Sequence, residues 1–413
     1  MIMITALLLV GCMVNMGLAS TEVPEGVIMT EIKKNSVNVV GNSKSKRAAD
    51  SLPVKLDNLI DFYSLDIKVG SPAQNVSVLL DTGSSDLWVY SPGQASDPTI
   101  PTFNSGRSTS WRSFNVPFRI RYMLGEASGI WGSDTVQLEN AKLPNQNFAV
   151  VNRGDSLDGV PGVMGIGLRQ LESSGLFGIA GYYDNVPTSL YRQGHIASPT
   201  FSLFLDDVNA KSGSIIFGGI DHSRYKGRLA VLRRISNSQY TVRCDSIKVD
   251  NHESIGSVAA TLDSGTSLGT LPRAIIQPLA QQLGLAYNSR QDYYYVSARR
   301  PMPNHHVQFS FSGVAYTLPI SKLMVKSDDL GDEFPKGLWI LGFQTSNSVL
   351  FGDVFLRNFY VVYDTAQPQI AIAEADYQKR KTHITPIQPN TPFTNLGTTI
   401  SLDRTAHANV LHQ

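Results

Sequence analysis

The chain has 413 residues, of which 42% are hydrophobic and 17% are charged. This composition excludes a chain that is disordered throughout, because there is ample apolar material for a folded core. The 35 Lys and Arg residues almost balance the 34 Asp and Glu residues, and no long basic run is present, which argues against nucleic-acid binding. A single hydrophobic core rarely extends beyond about 300 residues, so two lobes are expected.

The first 19 residues are almost wholly apolar and end in Gly17, Leu18 and Ala19. Small residues after a short apolar stretch are typical of a secretory signal peptide. No Lys or Arg lies near Met1, so a signal anchor is the alternative, although the stretch is short for a membrane-spanning helix. We therefore predict a secreted protein, with a vacuole as the alternative destination.

Residues 20–47 are polar and charged, and they end in the dibasic pair Lys46-Arg47. A dibasic end between a signal peptide and the first strand-like run indicates a removable pro-peptide, and a solvated basic linker is the alternative. We expect cleavage after Arg47, either by the protein itself or by a dibasic convertase.

Between residues 48 and 377 the chain consists of short β-favouring runs separated by Gly, Pro, Asn and Asp. These runs predict an all-β, antiparallel architecture. The strands we predict in chain order are 56–69, 76–80, 118–122, 129–136, 201–205 and 214–217. The clearest helical pattern spans 272–285, where the apolar residues form one stripe that we assign to core packing.

Two similar motifs lie far apart in the chain: Asp-Thr-Gly-Ser-Ser begins at Asp81, and Asp-Ser-Gly-Thr-Ser begins at Asp263. Either motif alone is ordinary turn chemistry. Each one follows an apolar run, and each is followed by two apolar residues and a Gly, at 163–165 and at 350–352. This repeat predicts two similar lobes with a cleft between them, where the two Asp side chains meet.

Two carboxyl groups at hydrogen-bond distance cannot both ionise cheaply, so the pair holds one proton over acidic pH. The ionised member can then accept a proton from a water molecule as that water attacks a peptide carbonyl, and the protonated member can hydrogen-bond the carbonyl oxygen. This chemistry requires no covalent intermediate, no metal and no cofactor. The supporting residues we predict are Gly83 and Gly265 for close backbone approach, Ser84 and Thr266 for bonds to the carboxylates, and Thr82 and Ser264 for bonds to the opposite loop.

The segment Leu79 to Val89, Leu-Leu-Asp-Thr-Gly-Ser-Ser-Asp-Leu-Trp-Val, resembles the active-site motif of the pepsin-like aspartic proteases, and so does Thr261 to Ser267. Residues 120–136 resemble the flap hairpin of that family, and 351–364 resemble its last strands. The resemblance spans about residues 54–377. Within the family, the segments 183–187 and 214–221 and the dibasic pro-peptide end are most similar to secreted fungal enzymes of the candidapepsin and yapsin type.

The resemblance implies a bilobal fold with few short helices, an N-terminal lobe over 48–225 and a C-terminal lobe over 226–377. It implies that Asp81 and Asp263 are the catalytic pair of an aspartic endopeptidase. It also implies that Tyr122 is the flap tyrosine and that Trp88 hydrogen-bonds to it. We accordingly expect protein and peptide substrates, inhibition by pepstatin-like compounds and a monomeric enzyme.

One departure from the family pattern concerns cysteine. The loop from Tyr90 to Phe103 lacks the cysteine pair that is usual in candidapepsin relatives. Once the signal peptide with Cys12 is removed, Cys244 remains alone, and we predict a packed small side chain there. The subsites that this loop would line are therefore expected to differ from those of the relatives.

A second departure is in the flap, where Tyr122 is followed by Met123, Leu124, Gly125 and Glu126. Leu124 replaces an acidic or hydroxyl residue that can meet a basic substrate residue in the relatives. We therefore predict a preference for bulky apolar residues beside the cut, and Glu126 leaves a basic preference as the alternative. The pocket residues we predict are Leu79, Tyr122, Leu124 and Val163.

Three further features concern glycosylation, metal binding and the C-terminal segment. Asn75 begins an Asn-Val-Ser glycosylation sequence, with an ordinary polar strand residue as the alternative. His305 and His306 have no third ligand at a recognisable spacing, so no metal site is predicted. Residues 378–413 are rich in Thr, Pro and Asn, and they are predicted to form a disordered tail without a membrane-anchor signal.

The predicted function is a secreted aspartic endopeptidase that works at acidic pH. One alternative is a catalytically inactive relative that binds or inhibits proteins, and the retained set of site residues argues against it. Another alternative is a glycosidase with paired carboxylates, which the repeat of two lobes disfavours.

Overall fold

The structure is a computed structural model. It describes residues 23–36, 61–122, 125–155, 157, 159–173, 181–330, 334–378, 380–395 and 399–400. The predicted signal peptide, the Lys46-Arg47 processing site and the flap residues Met123 and Leu124 lie outside the described residues.

Most of the described chain forms short strands, because β-branched and aromatic residues alternate with polar ones between turn residues. The strands of the first half are β1 Ile28–Ser36, β2 Asp61–Val69, β3 Gln74–Asp81, β4 Leu87–Tyr90, β5 Arg112–Arg121, β6 Glu126–Leu138, β7 Ala141–Asp155, β8 Gly162–Gly165, β9 Thr200–Phe204, β10 Ser212–Phe217 and β11 Gly219–Asp221. The strands of the second half are β12 Leu229–Arg233, β13 Thr241–Val249, β14 Gly256–Leu262, β15 Gly269–Leu271, β16 Ala286–Asn288, β17 Tyr293–Ser297, β18 His306–Phe311, β19 Val314–Pro319, β20 Met324–Lys326, β21 Leu338–Leu341, β22 Phe343–Thr345, β23 Leu350–Phe351, β24 Phe359–Asp364, β25 Gln369–Glu374, β26 Ile384–Pro386 and β27 Thr399–Ile400. The all-β prediction is confirmed.

The α-helices of the described residues are α1 Val186–Arg192, α2 Arg273–Gln282 and α3 Asp353–Leu356. Short 3₁₀-helices lie at Ser105–Arg107, Arg169–Leu171, Ile320–Leu323, Ser327–Asp329 and Phe393–Asn395. The predicted helical stripe is α2, whose Ile276 and Leu279 are fully buried. Gly284, with a φ of +67°, follows the helix in the left-handed conformation that commonly ends helices. No helix of the described residues is long and apolar enough to cross a membrane.

Two sheets position the two Asp motifs. The larger has the strand order β27-β12-β25-β24-β9-β10-β1-β2-β3-β8-β4-β7-β6-β5, and it joins strands of both halves where β24 pairs with β9. The other has the order β19-β18-β13-β14-β23-β15-β22. Strand β3 ends at Asp81, and β14 ends one residue before Asp263. Each half therefore delivers one Asp from the end of a strand.

The repeated apolar-apolar-Gly segments are the parallel partners of the Asp-bearing strands. Strand β8 pairs with β3, with Gly165 opposite Asp81, and β23 pairs with β14, with Phe351 opposite Leu262. A Cβ on Gly165 would lie 2.5 Å from the Ser85 nitrogen, so only glycine lets the two segments approach this closely. The repeat seen in the sequence is thus a repeat of one strand pairing.

Part of the predicted pro-peptide belongs to the central sheet. Strand β1 lies between β10 and β2, with Ile28 opposite Phe217 and Ser36 opposite Asp61. Ile32 is fully buried in the main core. Alternating burial over 28–32 explains this placement, although the segment shows no strong periodic pattern over its full length.

The described part of the C-terminal segment is packed onto the protein, which corrects the prediction of a disordered tail for residues 380–395. Strand β26 pairs with β11, and the side chains of Ile387 and Phe393 are buried. These two residues join an apolar cluster with Tyr360 and Ala375. Isolated apolar residues in a polar segment can dock onto such a surface, and composition alone does not reveal it.

Candidate active site

The two Asp motifs meet at the floor of a cleft of about 470 Å³. Asp81 and Asp263 both line this cleft, and their exposed fractions are 6% and 8%. The residues around them come from both halves of the chain. The cleft is therefore the site that the sequence repeat predicted between two lobes.

Each carboxylate is held by the same two hydrogen bonds. Asp81 accepts one from the Gly83 amide at 2.7 Å and a short one from the Ser84 hydroxyl. Asp263 accepts one from the Gly265 amide at 2.9 Å and one from the Thr266 hydroxyl at 2.8 Å. Because the donors lie two and three residues after each Asp, the motif itself orients the carboxylate.

A second set of hydrogen bonds ties the two loops together. The Thr82 hydroxyl donates to the Leu262 carbonyl and accepts from the Ser264 amide, both at 2.9 Å. The Ser264 hydroxyl donates to the Leu80 carbonyl at 2.9 Å and accepts from the Thr82 amide at 3.2 Å. All four groups are buried, so the relative position of the loops is rigidly defined.

The two carboxyl groups are close enough to interact strongly. A Cβ on Gly83 would lie 2.6 Å from Oδ1 of Asp263, and a Cβ on Gly265 would lie even closer to Asp81. Burial and the neighbouring Asp263 carboxylate raise the pKa of Asp81, although hydrogen bonds from Ser84 and Gly83 oppose this rise. A raised pKa is expected where two carboxyls share a desolvated site.

Tyr122, which follows β5 in the flap, lies on the Asp81 side of the cleft. The Tyr122 amide donates to the Gly125 carbonyl at 2.7 Å, which closes the turn between β5 and β6. The Trp88 indole donates to the Tyr122 hydroxyl oxygen at 2.8 Å, and Trp88 is fully buried. This bond fixes the tyrosine at the edge of the cleft.

Beneath the flap, the cleft wall is apolar. Leu79 and Val163 lie opposite each other in the β3–β8 pair, and both line the cleft. Leu157 and Val160, which precede β8, complete this wall but were not among the sequence predictions. The sequence gives little indication of these two residues, because they lie in a loop without hydrophobic periodicity. The opposite wall, also not predicted, includes Thr241, Ala259, Thr261, Ser348 and Val349.

Three more carboxyl groups lie buried behind the site, and sequence reasoning did not single them out. Asp86 accepts hydrogen bonds from the Ser173 amide at 2.9 Å and the Tyr183 hydroxyl at 3.0 Å, and burial raises its pKa. Burial raises the pKa of Glu172 to about 8. Asp353 opens α3, and burial together with the Asp263 carboxylate raises its pKa well above the usual range.

The remaining candidate residues lie apart from the cleft. Asn75 is exposed on β3. Cys244 is buried, and burial raises the pKa of its thiol to about 12, so it is a packed side chain. His305 is hydrogen-bonded to Asp250 at 2.6 Å. Within the described residues, no group of three or more His, Cys, Asp or Glu side chains could hold a metal ion.

A carboxyl pair on two linked loops, between two similar halves, defines an aspartic-type hydrolase. The family model for eukaryotic aspartyl proteases matches residues 62–375. The chain belongs to this family, and it is an aspartic-type endopeptidase. The predicted family resemblance and enzyme class are thereby confirmed.

Among curated proteins, the relatives include fungal enzymes. Candidapepsin-1 of Candida albicans is 34% identical, over 84% of this chain and 89% of that protein. The acid protease of Saccharomycopsis fibuligera is also 34% identical, over 82% of this chain and 87% of that protein. Aspartic proteinase yapsin-3 of Saccharomyces cerevisiae is 32% identical, over 87% of this chain and 74% of that protein.

The fold is similar to that of a solved structure, the aspartic proteinase from Irpex lacteus. The TM-score is 0.69, and the match covers 86% of this chain and all of that chain, at 20% sequence identity. This likeness supports the predicted bilobal fold.

Proposed function

We propose that this protein is a secreted acid endopeptidase in which Asp81 and Asp263 activate a water molecule held between them. The observation that carries the proposal is the matched environment of the two carboxyl groups. Each is buried, each is oriented by an amide and a hydroxyl, and each faces the glycine of the opposite loop.

In the proposed mechanism the pair holds one shared proton. The ionised carboxylate accepts a proton from the water as its oxygen attacks the peptide carbonyl carbon. The protonated carboxyl donates a hydrogen bond to the carbonyl oxygen and then its proton, which gives a neutral tetrahedral diol. The carboxyl that accepted the water proton then gives a proton to the amide nitrogen, and the other carboxylate takes one from a diol hydroxyl. The carbon–nitrogen bond breaks to give a carboxylic acid and an amine, and the pair again holds one proton.

The pH dependence follows from this shared proton. Activity falls at high pH, because the pair loses the proton that polarises the carbonyl. It also falls at very low pH, because the second protonation removes the base. The raised pKa of Asp81 supports an acidic working range that extends upward from the ordinary carboxyl pKa.

The cleft supports a preference for bulky apolar residues beside the cut. Leu79, Val163, Leu157 and Val160 form an apolar wall next to Tyr122. A large apolar side chain bound there would cover this wall and exclude water from the dyad. The substrate is an extended protein or peptide segment under the flap, and pepstatin-like inhibitors would occupy the same cleft.

Secretion and maturation are proposed from the sequence and from the names of relatives. Two of the similar Candida albicans proteins are named secreted aspartic proteases. The apolar N-terminal segment and Lys46-Arg47 suit export followed by removal of a pro-peptide, by self-cleavage or by a dibasic convertase. We propose that the mature enzyme is a monomer, and that a vacuole is the alternative location.

The decisive experiment is digestion of a denatured protein at about pH 3 to 5 by the processed wild type and by Asp81→Asn and Asp263→Asn. We expect each variant to lose about 10⁴-fold in kcat/KM, the size of loss seen when one member of a catalytic unit is removed. Asp329→Asn is the control, because Asp329 is exposed and does not line the cleft. Undiminished activity in Asp81→Asn would overturn the mechanism, and a folded but inactive wild type would favour a binding or inhibitor protein.

A further inference from the structure

A cationic side chain lines the cleft beside the flap tyrosine. Arg121 is the last residue of β5, and it contributes to the cleft together with Tyr122 and Asp81. Its side chain is 74% exposed. Among the described residues that line this cleft, Arg121 is the one basic side chain, and the two dyad carboxyls are the acidic ones.

Arg121 shares one carboxylate, that of Glu126, with Arg119. Glu126 lies directly opposite Arg121 in the β5–β6 pair. Its two carboxylate oxygens accept bonds from Arg119 at 2.9 and 3.0 Å, whereas Arg121 approaches only one oxygen, at 3.3 Å. Two guanidinium groups therefore share one carboxylate, and the Arg119 bond lowers the pKa of Glu126, which keeps it ionised.

This pairing also bears on the alternative preference for basic substrate residues. A Glu126 carboxylate that already accepts three hydrogen bonds from arginine is poorly placed to attract a further cation. The charge that this part of the flap presents to a peptide is therefore that of Arg121.

Arg121 and Tyr122 belong to opposite faces of the flap hairpin. Successive side chains of a strand alternate, and on β5 the apolar Phe118 and Ile120 pack into the cluster that contains Tyr122. Arg119 and Arg121 are exposed on the other face. The apolar wall therefore lies on the Tyr122 side of the flap, and the guanidinium lies on the other side.

We propose that Arg121 is a specificity-determining residue, which binds an Asp or Glu side chain of the substrate on the side of the cut away from the apolar wall. The inference rests on the proposed endopeptidase function and deepens it. A guanidinium is suited to this task because its planar donors can engage a carboxylate through two bonds. The favoured substrate then has a bulky apolar residue on one side of the cut and an acidic residue on the other.

The expected size of the preference for an acidic residue, and its dependence on pH and salt, follow from the exposure of Arg121. A solvent-exposed ion pair of this kind gives a preference of about five-fold. Because a free Glu side chain titrates near pH 4.3, the preference should be full at about pH 5.5 and largely lost at about pH 3. High salt should also reduce it, since exposed charges are screened.

The test begins with cleavage-site mapping by mass spectrometry at about pH 5.5. It locates the substrate position at which Asp and Glu are enriched. Two synthetic peptides are then made that differ only by Glu or Gln at that position. The readout is the ratio of their kcat/KM values, which is insensitive to a general loss of activity or of folded enzyme.

We expect the wild type to favour the Glu peptide about five-fold and Arg121→Gln to show a ratio near one. Glu126→Gln should increase the ratio, because it removes the carboxylate that competes with substrate for Arg121. Arg112→Gln is the matched control, since Arg112 is exposed on the same strand but does not line the cleft, and its ratio should equal that of the wild type.

A wild-type ratio near one, or an unchanged ratio in Arg121→Gln, would overturn the inference. A Glu126→Gln variant that instead loses cleavage beside Lys would also overturn it, because Glu126 would then direct a basic preference. Failure of the proposed function is distinguishable, because then neither peptide is cleaved, or Asp81→Asn cleaves both as well as the wild type does.

Discussion

The two Asp loops are alike in the contacts that orient their carboxylates and unlike two residues further along the chain. In both loops the Asp accepts a hydrogen bond from the amide two residues on and from the hydroxyl three residues on. The residue five positions after the Asp differs: it is Asp86 in one loop and Leu268 in the other. Symmetry thus extends as far as the atoms that orient the carboxylates.

The surroundings of the two loops differ more strongly. The flap tyrosine is anchored to Trp88, next to the Asp81 loop, whereas the other loop has Asp353 behind it. Both side-chain oxygens of Asp353 lack a hydrogen-bond partner among the described residues. The shared motif thus builds a matched pair, while the unshared residues around it give the two halves different surroundings.

Apart from the loss of a dyad carboxylate, the largest effect is expected from a methyl group placed between the loops. Because each carboxyl is held by two hydrogen bonds, a Cβ on Gly83 or Gly265 must displace the opposite Asp. We expect either alanine variant to lose about 100-fold or more in kcat/KM, measured with a fluorogenic peptide. Gly106→Ala is the control, because the nearest atom to its added Cβ is 3.3 Å away. Normal kinetics in both variants would mean that the loops lie farther apart than described.

The next effect concerns the bonds between the loops. Thr82→Val and Ser264→Ala each leave buried backbone groups without partners, so each should lower the free energy of unfolding by about 1–3 kcal/mol. Because the two hydroxyls make matching contacts, the two variants should lose similar amounts of free energy of unfolding, which denaturant unfolding measures. Thr99→Val, which alters an exposed hydroxyl, should be close to neutral. A large loss in only one loop would break the symmetry inferred from the contacts.

A smaller effect is expected from the flap, which is present on one side only. Tyr122→Phe removes the acceptor of the buried Trp88 indole and loosens the flap over Asp81. We expect kcat/KM to fall about ten-fold, as for the loss of one buried hydrogen bond. Tyr287→Phe, at an exposed tyrosine, is the control. Equal kinetics for wild type and Tyr122→Phe would show that the ring alone, without its hydroxyl, holds the flap.

The smallest effect is expected on the pH dependence of Tm, which a buried carboxyl in each half influences. The pKa values of Glu172 and Asp353 are raised in the folded protein, so their contribution to stability is present below about pH 4 and is lost as pH rises toward the folded-state pKa. Glu172→Gln and Asp353→Asn should therefore leave Tm unchanged at about pH 3 and raise it at about pH 7, by roughly 2–4 °C per kcal/mol recovered.

Calorimetry of the two variants and the wild type across this pH range checks the expectation. For Glu172 the loss should continue to about pH 8, the value to which burial raises its pKa. A Tm gain that is the same at both pH extremes would show that packing, and not ionisation, accounts for the change.

Much of the fold class and of the site could be predicted from the sequence. The strands predicted in the first half, helix α2 and the residues around Asp81 and Asp263 follow from local patterns. The lining residues Leu157 and Val160, and the whole wall from the second half, could not be predicted. They meet the dyad only through long-range packing, and no spacing in the chain marks them.

Two segments also could not be placed in the fold from the sequence. Strand β1 joins the central sheet from a segment that is largely polar and has no strong periodic pattern. Residues 380–395 pack onto β11 and its neighbours, although their composition is typical of disorder. In both cases a few apolar residues find a partner surface built by distant parts of the chain. Such a surface exists only after the rest of the protein has folded.

Local sequence is sufficient to build the repeated Asp loops, because the bonds that orient each carboxylate connect residues two and three positions apart. Tertiary structure alone decided that the two loops face each other, because the bonds that join them span 182 residues. It also decided that Arg121 lines the cleft while Arg112 on the same strand does not. Short-range hydrogen bonding can be inferred from a motif, whereas the assembly of a cleft depends on how whole sheets pack.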